Sequence, residues 1–119
     1  LHRVDRRQRQ MCKETAPELI CSVFAVGSEV VADALVSTGK AGQVMVIGND
    51  LFPESALALR RGIFTNIVYK DPTSLAYRGA KTLGDYLLWG RTPTVPVQKG
   101  AVEMVFASNA DRYCELAGI

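Results

Sequence analysis

The sequence predicts an α/β fold: a layered, parallel sheet with helices on both faces. Short apolar runs of strand length alternate with stretches of helical period. The runs are apolar nearly throughout rather than alternating, which is the pattern of strands covered on both faces. The helical stretches are also punctuated by Asp, Pro and Gly where helix starts and stops require them.

The elements follow in order. Residues 3–14 read as a basic helix, with Arg3, Arg6, Arg7, Arg9 and Lys13 set against the nearby Asp5. A solvated helix face explains that charge better than a phosphate contact. Ile20 to Val26 reads as the first strand. Val30, Val31, Ala34, Leu35 and Thr38 then mark one face of a helix that Gly39 can end. Val44-Met45-Val46-Ile47 forms the second strand. Pro53 opens a short helix through Ala56, Leu57 and Leu59, and Gly62 closes it. Ile67-Val68-Tyr69 forms the third strand. Asp71 caps a longer helix with Pro72 in its first turn; Leu75, Ala76, Gly79, Ala80, Leu83, Tyr86 and Leu87 line one face, and Gly90 ends it.

Beyond Gly90, Val95 to Gln98 suits a short strand. Ala101 to Ala107 alternates, with Val102, Met104 and Phe106 on one face, as a strand should. Ser108 or Asn109 then caps a terminal helix holding Tyr113 and Leu116. Strand–helix units in succession imply right-handed crossovers.

Composition excludes several classes. The 119 residues are 48% hydrophobic and 22% charged with a net charge of +2, which suits a globular domain and is too little charge for a nucleic-acid binder. No apolar run approaches the roughly 20 residues that cross a bilayer, and no apolar signal core follows the basic first residues. Cys12, Cys21 and Cys114 are widely spaced and His2 is the sole histidine, so no zinc motif exists. Reduced, packed thiols in a cytoplasmic protein are the expectation. There is no Gly-rich phosphate loop, nucleophile elbow or paired metal ligand at helical spacing. Neither an enzyme nor a bound cofactor or metal is therefore expected. A phospho-receiver needs an acidic pair after the first strand to hold magnesium; Val26-Gly27-Ser28-Glu29 offers one displaced acid.

Open parallel sheets bind ligands beyond the carboxyl ends of their strands. The residues expected there are Gly27, Ser28 and Glu29, then Asn49, Asp50 and Phe52, then Lys70 and Asp71. Asp50 can accept hydrogen bonds from vicinal hydroxyls or pair with a cation, and Lys70 can donate to an acceptor or an anion. Asp71 is better explained as a helix cap. Phe52 can stack on a ring or make a hydrophobic contact at the helix entry. Tyr77 and Trp89 suit packing or a subunit contact.

The stretch from Val44 to Tyr113 resembles lac-repressor-type ligand-binding domains, which share their architecture with type 1 periplasmic binding proteins. Val46-Ile47-Gly48-Asn49-Asp50 is similar to the family's VVGxD element. Leu59 to Pro72 is similar to its L..G.I...I.Q.P element, and Tyr77 to Leu88 to GY.A...L.DYL. Glu103 to Tyr113 is similar to the closing EIVF.SN...Y. Order and spacing together make the match, since no single element is specific. Upstream, Ser28 to Gly39 resembles the helix ending A.AL...G, and Arg6 to Gln10 the R..GF helix, although Arg9 and Gln10 replace its Gly and Phe.

The resemblance implies the carboxyl-terminal lobe of a two-lobed domain, with residues 1–119 as one partial unit. Residues 1–26 would supply the basic helix and first strand, and 27–119 the core. A strand–helix–strand segment of the family would be missing before 27, together with the other lobe. It implies ligand contacts at Asp50, at Lys70 where the family has Gln, and at Arg6, with Ser28 standing where an Asn–Asp pair is usual. Because Lys only donates and brings charge, the expected effector is a sugar carrying an acceptor or anion there, such as a sugar acid or sugar phosphate. The implied protein is a cytoplasmic, homodimeric regulator that meets DNA through a helix-turn-helix outside this chain. A periplasmic sugar-binding component of a transporter, or a truncated interaction module without ligand, are the alternatives.

Overall fold

A computed structural model describes residues 17–119, so the basic helix expected over residues 3–14 lies outside the described residues. The first described strand, β1 (Leu19–Cys21), is short, and the chain is helical again from Ala25 in α1 (Ala25–Ser37). Of the strand expected over residues 20–26, only Ile20 and Cys21 are strand; residues 22–24 form a bend, and Ala25 and Val26 open the helix. An apolar run does not by itself specify its period. Here the inward residues Ser28, Ala32 and Leu35 recur at helical spacing, so the helix wins from Ala25 onward. Val30, expected on the inner face of this helix, is exposed.

β2 (Met45–Asn49) lies between β1 and β3 (Asn66–Tyr69), and all three are parallel. The crossover from β2 to β3 is α2 (Pro53–Arg60), which begins on Pro53 and is closed by Gly62 at φ 71°. That left-handed turn is open to Gly at no steric cost. α3 (Pro72–Trp89) starts at Asp71, whose carboxylate accepts from the amides of Thr73 (3.0 Å) and Ser74 (3.1 Å), and stops at the left-handed Gly90.

The sheet then departs from the wholly parallel expectation. β4 (Glu103–Val105) pairs antiparallel with β3, giving the order β1-β2-β3-β4. Residues 95–98 form no strand, because Pro96 interrupts them and has no N–H to give a ladder. In β4 the buried residue is Val105, while Val102, Met104 and Phe106 are exposed. The alternation there was legible, but the side facing the core is the other one. The last helix, α4 (Ala110–Ala117), follows Asn109, whose side chain accepts from the amide of Phe106 (2.7 Å) rather than capping the helix.

The core lies between one face of the sheet and α1, α2 and α4. Val46, Ile67 and Val105 on the strands have no exposed surface, and Leu59 of α2 packs over them. Gly48 is buried in β2, where a Cβ would come within 3.1 Å of the Phe64 ring. α4 is tied down by the ion pair of Asp111 with Arg60 of α2 (2.8 Å) and by the edge of Tyr113 against Tyr69 (centroids 5.6 Å apart). The Tyr113 hydroxyl donates to the Glu103 carboxylate on β4, which holds its phenol above the usual tyrosine range. On the other face of the sheet, Met45 and Met104 are exposed. α3 buries none of its residues.

Candidate functional site

Because β2 and β3 are adjacent and parallel, the residues just past their carboxyl ends meet at one rim. Asn49 pairs with Val68, and the Asp50 amide continues the ladder by donating to the Val68 carbonyl (2.9 Å). Asp50 then leaves the strand with φ 63°, the only non-glycine residue in the left-handed region among those described. Short polar side chains such as Asp tolerate that conformation better than most. The turn aims the Asp50 carboxylate along the rim toward the end of β3. There Lys70 Nζ lies 3.2 Å from Asp50 Oδ1.

Four neighbours hold this geometry. Asn49 Nδ2 donates to Asp50 Oδ2 (2.9 Å), which orients the carboxylate. The Ser55 hydroxyl accepts from the Phe52 amide (2.8 Å) and lies 3.1 Å from the Asp50 carbonyl, so the first turn of α2 closes back on the loop. Ser28 acts from beneath. β1 stops short of the level of Asn49, and the Ser28 hydroxyl takes the place of the absent strand by accepting from the Asn49 amide (3.0 Å). Behind the loop, Leu51 anchors it in the core.

The residues expected at the rim are therefore sorted. Asp50 and Lys70 stand together, 33% and 40% exposed, each with hydrogen-bonding capacity to spare. Phe52 is half-exposed at the position preceding α2. Ser28, expected among the ligand contacts, lies in the first turn of α1 with no exposed surface, where it supports the rim. Gly27 and Glu29 likewise belong to α1, and the segment following β1 is Ser22–Phe24. Asp71 is the helix cap it was expected to be, and its hydrogen bonds from Ser74 lower its carboxyl below the usual range. Arg6 lies outside the described residues.

Asn49 and Ser55 were not singled out as orienting groups. Ser55 had a legible signal, since a hydroxyl at the third position of a helix can reach back to the residue before it. Ser28 had none, because its role depends on where β1 ends.

The sequence profile of the periplasmic binding protein domain family matches residues 7–92. The chain belongs to that family. Solved structures agree on the fold. GanP, a glucose-galactose binding protein from Geobacillus stearothermophilus, superposes with a TM-score of 0.74 at 16% identity, over 87% of this chain and 37% of its own. An ABC transporter solute binding protein from Agrobacterium vitis, bound with α-D-tagatopyranose, gives 0.72 at 14% identity, over 87% and 34%. A protein assigned as a LacI transcriptional regulator from Bacteroides fragilis gives 0.68 at 18% identity, over 80% and 31%. The chain thus spans about a third of the length of these relatives. No curated protein sequence matches it significantly.

Proposed function

We propose that this chain is one wall of a sugar-binding cleft, with Asp50 and Lys70 taking the hydroxyls of the sugar. The observation that carries the reading is the meeting of these two side chains at the carboxyl rim of two adjacent parallel strands, where open α/β sheets hold ligands. The solved relatives support the ligand class: one is named for glucose and galactose, and another holds a tagatose ring. A relative's second lobe would supply the opposite wall, and ligand would close the two.

In the finer reading, this wall belongs to the effector domain of a lac-repressor-type, cytoplasmic homodimeric regulator, in which closure changes how a separate helix-turn-helix meets DNA. The likeness of residues 103–113 to the closing element of that family and the B. fragilis relative support it. The A. vitis relative favours a second reading, a binding component of a sugar transporter.

Calorimetric titration of the complete gene product with monosaccharides tests the first claim. A sugar should bind, and Asp50→Ala should weaken it roughly tenfold or more, as expected for losing a hydrogen bond to a charged group. Unchanged affinity in Asp50→Ala would remove the rim from the binding site. Sugar-dependent release of operator DNA would select the regulator over the transporter component.

A further inference from the structure

We infer that Lys70 serves as a built-in counter-ion to Asp50, so that this rim selects neutral polyols and discriminates against acidic or phosphorylated sugars. The inference rests on the sugar-binding reading and concerns which sugars that site accepts.

A lysine alone at the end of β3 would draw an anion, as its charge suggests. The fold does not leave it alone. Lys70 Nζ is 3.2 Å from Asp50 Oδ1. The carboxylate is oriented toward it, with Asn49 Nδ2 holding its other oxygen at 2.9 Å and the adjoining backbone held by Ser28 and Ser55. A second carboxylate, Asp71, adjoins Lys70 in sequence, held by the amides of Thr73 and Ser74. The ammonium is therefore paired with Asp50, while the Asp71 carboxylate is committed to the first turn of α3.

A carboxylate or phosphate hydrogen-bonded to Lys70 would stand roughly 5 Å from Asp50 Oδ1, because the donors of the ammonium diverge at the tetrahedral angle. At that separation the Asp50 charge offsets roughly half or more of the attraction of the ammonium, so the pair draws an anion far less than a lone lysine would. A vicinal diol meets no such conflict. One hydroxyl donates to the Asp50 carboxylate while its neighbour accepts from the Lys70 ammonium, which keeps donors to spare beyond the ion pair. Because Lys70 only donates, the ligand oxygen opposite it must be an acceptor, and a hydroxyl supplies one without charge.

The test compares matched pairs, glucose with glucuronate and galactose with galacturonate, titrated into the complete gene product. The wild type should bind the neutral member at least tenfold more tightly. Asp50→Asn removes the negative charge and keeps a residue that tolerates the left-handed turn; it should raise the acid-to-neutral affinity ratio at least tenfold, by exposing the Lys70 charge. Lys70→Gln should lower that ratio below the wild-type value. Thermal unfolding of each variant shows that it is folded before its ratio is read. A wild type that prefers the acid, or an unchanged ratio in Asp50→Asn, overturns the inference while leaving the sugar reading intact. Absence of binding to all four sugars overturns the sugar reading and the inference together.

Discussion

The β2–α2–β3 unit and the α3 segment after it carry sequence signals of equal quality and end in opposite environments. Both helices begin with proline in the first turn and stop at a left-handed glycine. Both have apolar residues at helical spacing. Yet α2 buries Ser55, Ala56, Ala58 and Leu59, whereas α3 leaves Leu83, Tyr86, Leu87 and Trp89 exposed. The difference teaches that caps and period specify a helix, while burial depends on whether another apolar face stands opposite. α2 is drawn onto the sheet by strands it connects in parallel on either side. α3 leads to a long irregular segment, and the antiparallel β4 closes the sheet without it.

That contrast can be broken most directly by truncation. Leu59→Ala, at 1% exposure, should destabilise the fold by about 2–5 kcal/mol through lost burial and the cavity left behind. Leu87→Ala, at 70% exposure, should cost less than about 0.5 kcal/mol. Equilibrium denaturation of the two variants reads both, and equal losses would mean that α3 is covered in solution. Gly48→Ala comes next. The added methyl presses on the Phe64 ring, and overpacking of this kind costs about 1–3 kcal/mol.

An effect of similar size sharpens the account of the rim. Ser28→Ala should cost about 1–3 kcal/mol, because the Asn49 amide loses its partner in a buried place. It should also weaken sugar binding without altering any exposed residue. If affinity and stability both stay at wild-type values, the latch under Asp50 has no function.

The smallest effect concerns pH and belongs to α3. The folded carboxyl of Asp71 titrates below its unfolded value, because Ser74 and Thr73 donate to the charged form. Its stabilising contribution is therefore present above the unfolded range near pH 4 and is lost as pH falls through the lower folded value. Helical circular dichroism should decline slightly over that window in the wild type. Asp71→Ala, with the cap already gone, should start lower and lack that component. Identical acid profiles would show that the cap does not govern the helix.

Much of this was legible in the residues. Pro53, Gly62, Asp71, Pro72 and Gly90 mark helix ends by chemistry that acts within one or two turns, so they needed no knowledge of the rest. Asp50 and Lys70 could be placed together because neighbouring parallel strands bring their carboxyl ends to one edge. The boundary between β1 and α1 was hidden, since residues 20–26 are apolar enough for either. The inward side of β4 was hidden for a similar reason: alternation marks two faces but does not say which one meets a core.

By itself, the sequence determined the α/β class, the three parallel runs, the helix ends and the pair of charged residues at the rim, all set by local or nearest-neighbour chemistry. Tertiary structure alone decided that Ser28 replaces a strand beneath Asn49, that Asp50 turns left-handed toward Lys70, that β4 runs antiparallel, and that α3 stays uncovered. Each depends on where distant segments stop or meet in space, and no periodicity or cap within one element encodes that.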